Sequence, residues 1–196
     1  MEILKHNISA PHGSPDGGAI GVGGTLEKDI NLKIALKLSE VLEAKGYIPI
    51  MTRTGDKAIY DDESGTLREK KRSDMQNRLN IMKNSGASLF ISIHMNSFQD
   101  ESVRGLHIFY SGNHENIKPL AENIQKKISE ITGAEAHTVT TADERLFLMK
   151  NPPVPAILAE CGFISNKEEE IKLNDSDYQS RLAWAIADSI DDYFCN

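Results

Sequence analysis

The sequence has little of several features that mark particular classes of protein. Only two of its 196 residues are cysteines, and neither Cys161 nor Cys195 belongs to a Cys-x-x-Cys pair. A thiolate zinc finger, a redox motif and a disulfide framework are therefore not indicated. The longest apolar runs, at 87–93 and 154–159, fall well short of the ~20 residues that a membrane helix needs. The N-terminal residues do not place a basic region before an apolar one, so the sequence predicts neither a membrane span nor a signal segment in this chain.

Clustered positive charge is also scarce. The formal net charge is -7, and from Cys161 onward eight acidic residues face three basic ones. The one dense basic segment, 68–72, is interrupted by Glu69. Proteins that bind nucleic acid usually gather cations on one face to displace counterions. Nucleic acid is therefore not expected as a partner.

The chain does have the size and composition of one globular domain. With 196 residues and 39% hydrophobic composition, it can bury its own core. The sequence contains no internal repeat, low-complexity tract or linker. We expect residues 1–196 to form a single domain.

Hydrophobic periodicity predicts alternating helices and strands. Helices are expected at 27–45, 73–84, 115–132 and 176–194, with a loop at 54–66 and an irregular segment from 133 to 144. Strands are expected at 47–52, 88–94, 105–110 and 154–160, the first of them at an edge because of Pro49. This alternation predicts an α/β sandwich, with a mostly parallel mixed sheet of about six strands flanked by helices.

Two polar residues stand where apolar strands stop. His94 ends the run 88–94, and Glu160 ends the run 154–160. Ligands of open α/β sheets gather beyond the carboxyl ends of the strands, so both residues are candidates for a site. Each alone could equally be a hydrogen-bonded strand-end residue.

A glycine-rich segment supplies two further candidates. Residues 11–27 contain six glycines and His12, and they end at Glu27, where the first helix begins. Composition alone favours a flexible surface loop ending in a glutamate that interacts with the helix dipole.

Together, the four residues have the composition of a catalytic metal site. Two imidazoles and one carboxylate form a zinc shell that leaves a coordination position open for water. Glu160 could then act as a general base. Packing or surface roles are expected for the other histidines, His6, His107, His114 and His137. Cys161 is expected to be a small buried residue on the face of its strand opposite to Glu160.

The order of these residues resembles the zinc-dependent N-acetylmuramoyl-L-alanine amidases of the Amidase_3 family, over nearly the whole chain. The resemblance rests on the segments His12-Gly, Glu27-Lys-Asp with Asn31-Leu, Gly46-Tyr, Thr52-Arg-Thr, Ser73-Asp with Asn77-Arg, Ser92-Ile-His-Met-Asn-Ser and Glu160-Cys-Gly-Phe-Ile-Ser-Asn.

Carried over residue by residue, the resemblance implies zinc ligation by His12, Glu27 and His94. It also implies that Glu160 is catalytic and that Asn96 lines the cleft. The cleaved bond would be the amide between N-acetylmuramic acid and L-alanine of peptidoglycan.

Three segments resemble most closely the spore-cortex, CwlD-type members of the family: Arg68-Glu-Lys-Lys-Arg-Ser-Asp, Tyr110-Ser-Gly and Leu182-Ala-Trp-Ala-Ile. This implies a role in forming muramic-δ-lactam, in which a deacetylase completes the reaction. It further implies a lipoprotein partner in some spore formers. An exported location, in the cell wall or the forespore intermembrane space, is also implied, with a signal segment trimmed from this chain.

One segment departs from the family pattern. Where members usually have Asp-Pro-Gly-His-Gly-Gly, this chain has Ala10-Pro-His-Gly-Ser. A shifted His12 would weaken metal binding or make activity depend on a partner that orders the loop. Two alternatives therefore stay open: a catalytically silent peptidoglycan-binding or scaffold protein, and another zinc amide hydrolase such as a carboxypeptidase.

The substrate adds one expectation. Stem peptides carry carboxylates, which arginine binds in a planar, bidentate manner. Four arginines are candidates for lining the groove: Arg72, Arg78, Arg104 and Arg145. A solvated surface position is the alternative for each.

Overall fold

The computed structural model describes residues 3–63 and 65–195, which form one sheet with helices on both of its faces. Met1 and Glu2, part of the segment from which no signal is predicted, lie outside the described residues. The strands are β1 (Lys5–Ser9), β2 (Ile48–Met51), β3 (Leu89–Asn96), β4 (His107–Tyr110), β5 (Thr140–Thr141) and β6 (Ala156–Phe163). The helices are α1 (Glu27–Ala44), α2 (Leu67–Asn84), α3 (Lys118–Thr132), α4 (Lys167–Asn174) and α5 (Ser176–Cys195).

The sheet is mixed and mostly parallel, as the sequence predicts. Its order is β2-β1-β3-β6-β4-β5. Strands β2, β1, β3 and β6 run parallel, β4 is antiparallel to β6, and β5 pairs parallel with β4. Strand β2 lies at an edge of the sheet. The missing N–H of Pro49 therefore does not interrupt the hydrogen bonds of a central strand.

The two faces of the sheet bury different helices. On one face, α1, α3 and α5 pack their apolar stripes against strand residues such as Ile91, Ile157 and Cys161. On the other, α2 and the segment 146–149 pack against Phe90 and Leu158. Because side chains alternate along a strand, odd and even positions of β3 serve different faces.

Several elements differ from the sequence-based expectation. Helix α2 begins at Leu67, not at residue 73, because Thr66 and Glu69 form a capping box at its N-terminus. Strand β1 and helix α4 were not predicted, and β5 lies within the segment expected to be irregular. Strand β1 and helix α4 are rich in polar residues, so neither shows a clear hydrophobic periodicity in the sequence.

None of the helices within residues 3–63 and 65–195 combines the length and hydrophobicity needed to span a bilayer.

Candidate active site

His94 and Glu160 lie side by side at the carboxyl edge of the sheet. They are register partners on the parallel strands β3 and β6. Ser92 and Leu158 lie two residues before them on the same strands. All four residues line one cleft, on the face of the sheet that packs against α2. The strand-end position predicted for both residues is thus the position they occupy.

The glycine-rich segment brings Glu27 to the same edge by folding back on it. The N–H of Glu27 donates to Ala19 O at 2.9 Å, and the Ala19 N–H donates to Glu27 Oε2, also at 2.9 Å. Gly18 has a φ of +70°, and a Cβ there would lie 2.6 Å from Glu27 Oε2. Glycine is therefore needed where the backbone passes this close to the carboxylate. The segment is an ordered wall of the site, not the flexible surface loop that composition favours.

The Glu27 carboxylate lies between the two histidines. His12 Nε2 is 3.2 Å from Glu27 Oε2, and His94 Nδ1 is 3.0 Å from Glu27 Oε1. Ligand atoms from these three residues all lie within 4.8 Å of one another, close enough for one metal ion to bind all three. The structure therefore brings together the residues predicted from sequence to hold a metal.

The departure from the family pattern does not move His12 away from the others. His12 has a φ of +62°, a left-handed conformation uncommon for a residue with a side chain. Its Nδ1 lies 2.9 Å from Asp16 Oδ2, so its Nε2 is left to face Glu27. Lys71 Nζ lies 3.0 Å from the other oxygen of Asp16. Sequence reasoning missed Asp16, although its position four residues after His12 was visible.

The neighbouring groups shift the pKa values of Glu27 and His12. Burial opposes ionisation of Glu27, but hydrogen bonds to His12 and His94 outweigh it and hold the pKa of Glu27 far below its usual range. Burial lowers the pKa of His12, and the neighbouring carboxylates of Glu27 and Asp16 reverse this and raise it. The carboxylate is therefore charged at neutral pH, as a metal ligand must be.

Glu160 differs from Glu27 in its environment. Burial raises the pKa of Glu160 to about 7, an effect that the charge of His94 opposes and that of Glu27 reinforces. Its Oε2 atom is buried and finds no hydrogen-bond partner in the described part of the chain. A carboxyl group of this kind can accept and release a proton near neutral pH.

A cleft of about 260 Å³ opens beside these residues. Its apolar surface is formed by residues such as Met75, Leu146, Leu148, Met149 and Leu158. Four cationic residues also line it: Lys70, Lys71, Arg145 and the buried Arg78. Lys70 Nζ lies 4.9 Å from the centre of the Tyr60 ring, which also lines the cleft. The sequence-based expectation names only arginines as carboxylate-binding residues and does not include the two lysines.

Arg145 is the one predicted groove arginine that is both exposed and part of this cleft. Arg72 is exposed on α2 but is not among the described cleft residues, and Arg104 pairs with Glu135 at 2.6 Å elsewhere on the surface. Arg78 is 1% exposed, and each of its guanidinium nitrogens donates within the protein. Arg78 is thus not free to bind a substrate carboxylate.

Asn96, which the family resemblance places in the cleft, is not among the residues described as lining it. The register of β3 and β6 shifts between His94 and Asn96, with the extra residue on β6. The Asn96 side chain accepts from the Ser97 N–H at 2.8 Å.

An α/β fold with a His-Glu-His cluster that could hold one metal ion, beside a buried carboxyl group at the carboxyl edge of its sheet, is the arrangement expected of a hydrolytic enzyme. The chain belongs to the Amidase_3 family of N-acetylmuramoyl-L-alanine amidases, whose sequence profile matches residues 7–192. The resemblance seen in the sequence is thereby confirmed, and the chain is an enzyme of this amidase class.

Individual relatives agree with this assignment. The germination-specific N-acetylmuramoyl-L-alanine amidase of Bacillus subtilis (strain 168) is 33% identical, over 93% of this chain and 76% of its own length. The CwlD amidase of Clostridioides difficile, solved in complex with the GerS lipoprotein, is 36% identical with a TM-score of 0.93, covering 98% of both chains. The amidase AmiC2 of Nostoc punctiforme is 29% identical with a TM-score of 0.85, again over 98% of both chains.

Proposed function

We propose that this chain is a zinc-dependent amidase that cleaves the bond between N-acetylmuramic acid and L-alanine, with His12, Glu27 and His94 as ligands and Glu160 as general base. The observation that carries the proposal is the convergence of these three ligands beside a buried carboxyl group. Residues 1–196 would then constitute the catalytic domain.

The donor set fits zinc. Two imidazole nitrogens and one carboxylate are a common catalytic zinc shell, and around a tetrahedral ion such donors lie roughly 3.3 Å apart. The contacts of 3.2 Å and 3.0 Å made by Glu27 are close to that spacing. The hydrogen bond from His12 to Asp16 is the usual outer partner of a ligating histidine.

The chemistry divides between the ion and the protein. Zinc, when bound, supplies a Lewis acid that polarises the amide carbonyl and lowers the pKa of water. Glu160 takes the proton of the attacking water and delivers it to the departing nitrogen of L-alanine. The apolar walls of the cleft exclude bulk water and strengthen these electrostatic interactions.

Zinc content and product analysis test this proposal together. The purified chain should hold about one zinc, and it should release peptides with free L-alanine amino termini from muropeptides. His94→Ala should lose both properties, while His137→Ala, an exposed histidine, should keep both. Cleavage elsewhere in the stem peptide would instead favour a carboxypeptidase. Zinc binding without any cleavage would favour a silent binding protein.

We further propose that Arg145 and Lys70, two cations of the cleft, bind stem-peptide carboxylates. Arg145 and Lys70 line the cleft, whereas Arg72, close to Lys70 on α2, does not. Arg145→Ala and Lys70→Ala should raise KM for muropeptides with little change in kcat. Arg72→Ala is the matched control and should leave both constants unchanged.

The biological role proposed is modification of spore cortex after export, to the cell wall or the forespore intermembrane space. The support is the likeness to the germination-specific amidase and to the CwlD amidase. Deleting the gene in a spore-forming host should remove muramic-δ-lactam from cortex digests, and the parent gene, but not a Glu160→Gln variant, should restore it. A cortex unchanged by the deletion would contradict this role.

A lipoprotein partner is proposed on one observation, that the CwlD amidase was solved in complex with the GerS lipoprotein. Affinity purification of the tagged chain from sporulating cells should recover a lipoprotein. Recovery of none under conditions that retain known complexes would contradict the proposal.

A further inference from the structure

The turn that carries His12 is held by its main chain. Three consecutive carbonyls, those of Ala10, Pro11 and His12, accept hydrogen bonds from buried side chains. His12 itself has a left-handed backbone with a φ of +62°. Such a conformation costs on the order of 1–3 kcal/mol in a residue with a side chain, and it persists only where the surroundings enforce it.

Arg78 holds the two ends of this turn. Its Nη1 donates to Ala10 O at 2.9 Å, and its Nη2 donates to His12 O at 3.2 Å. Asp74, one helical turn earlier on α2, accepts from Arg78 Nε at 2.7 Å and fixes the guanidinium plane. The side chain is 1% exposed, so its position is set by its partners within the protein.

Arg53 connects the turn to helix α1. Its Nε donates to Ala10 O at 2.8 Å, and its Nη2 donates both to Pro11 O at 3.2 Å and to Lys28 O at 2.6 Å. Pro11 directly precedes His12, and Lys28 directly follows Glu27. One guanidinium group therefore spans the two segments that carry His12 and Glu27.

The cost of burying these two cations argues for a specific purpose. Removing a guanidinium from water is expensive unless its donors are satisfied. Arg53 is 5% exposed, and a smaller apolar residue would fill part of its space without that cost. Only a planar group with several donors can reach several carbonyls at once.

We propose that Arg53 and Arg78 are positioning residues of the metal centre, which hold the His12 turn against helix α1 before the ion binds. This inference rests on the proposed zinc chemistry. The clamp, defined as Arg53, Arg78 and the carbonyls of residues 10–12, makes the site rigid without touching substrate or metal. It also provides a physical reason why the departure in sequence before His12 leaves that ligand in place.

The test measures metal affinity rather than turnover. Arg53→Lys and Arg78→Lys retain a positive charge but cannot reproduce the planar set of donors. Each should weaken zinc binding by roughly 10–100-fold, the usual effect of losing an outer partner of a metal ligand. Affinity is measured by competition with a chromophoric chelator, and circular dichroism of the metal-free protein establishes that each variant is folded. The visible spectrum of the cobalt-substituted protein should change as well, because it reports ligand geometry.

Tyr47→Phe is the matched control for stability. It removes a buried hydroxyl that donates to Asp191 at 2.8 Å, remote from the His12 turn. It should lower the melting temperature and leave zinc affinity and the cobalt spectrum unchanged. If Arg78→Lys does not fold, Arg53→Lys decides the question.

Two results would overturn the inference in distinguishable ways. If the parent binds zinc and folded arginine variants bind it equally well, with only the melting temperature reduced, the clamp is structural and does not position the ligand. If the parent itself binds neither zinc nor cobalt, the proposed zinc chemistry fails, and the inference fails with it.

Discussion

His94 and Glu160 are direct register partners on neighbouring parallel strands, so their Cα atoms are adjacent and their side chains share one face of the sheet. Because β3 and β6 are both central, this spacing is fixed by main-chain hydrogen bonds and does not depend on a loop. The proposed proton acceptor and the proposed metal ligand are thereby held at a constant separation, as catalysis by a preorganised site requires.

The first prediction concerns Glu160. Glu160→Gln keeps the size of the side chain but removes its ability to accept a proton. Turnover of muropeptides should fall by about 10²–10⁴-fold, the usual contribution of a general base, while zinc content stays that of the parent. Cys161→Ala is the control, since Cys161 is buried on the opposite face, and it should keep its activity. Undiminished turnover in Glu160→Gln would remove Glu160 from the mechanism.

The positions of these residues explain how much could be predicted from sequence. The runs before His94 and Glu160 are apolar and end in a polar residue, so both strands and their functional ends were visible. Strand β1 was not, because its sequence contains His6, Asn7 and Ser9, whose burial depends on partners distant in the chain. Asn7 Oδ1, for example, accepts from Ser85 Oγ at 2.9 Å.

Arg78 illustrates a limit of a different kind. A single sequence cannot distinguish an exposed arginine from a buried one whose acceptors lie elsewhere. The partners of Arg78 include Ser9 Oγ at 3.2 Å and Thr52 Oγ1 at 2.7 Å. Ser9 belongs to β1, and Thr52 directly follows β2. Only the assembled sheet reveals that these acceptors surround the Arg78 side chain.

The second prediction concerns Gly18. A Cβ at this position would lie 2.6 Å from Glu27 Oε2 and 2.8 Å from the His12 ring. Gly18→Ala should therefore displace both residues and greatly weaken zinc binding. Gly24→Ala is a closely matched control, because Gly24 also has a positive φ, of +89°, but nothing lies within 4 Å of its added Cβ. Isothermal titration with zinc should show a much larger loss for Gly18→Ala. Equal losses would mean that backbone strain alone is responsible.

The third prediction concerns Asp16. Asp16→Asn keeps the shape of the side chain but removes the charge that interacts with both His12 and Lys71. Zinc affinity should fall by roughly 10–100-fold, because the histidine loses the partner that fixes its orientation and raises its basicity. Lys71→Met leaves the pair of Asp16 and His12 intact and should have a smaller effect. A larger loss of zinc affinity in Lys71→Met than in Asp16→Asn would contradict the prediction that Asp16 is the partner that orients His12.

The last prediction concerns the pH dependence of stability. His6 is 0% exposed, and neither of its ring nitrogens has a hydrogen-bond partner among the described residues. Burial lowers the pKa of His6 from 6.5 to about 4. Between these values the unfolded chain binds a proton that the folded chain does not, so the free energy of unfolding should decrease as the pH falls from 6.5 to 4. The loss attributable to His6 is on the order of 3 kcal/mol, and it should not increase further below pH 4.

His6→Phe isolates this contribution. The His6 ring packs 4.8 Å from the ring of Tyr47 and 4.9 Å from that of Phe194, an environment that accepts another aromatic ring and requires no hydrogen bond. Urea denaturation of the parent and the variant at pH 7 and pH 4.5 gives four free energies of unfolding. The variant should lose less stability between the two pH values than the parent, because acidic groups shared by both proteins cancel in the comparison. An equal loss in the two proteins would show that His6 is not the group whose protonation destabilises the fold.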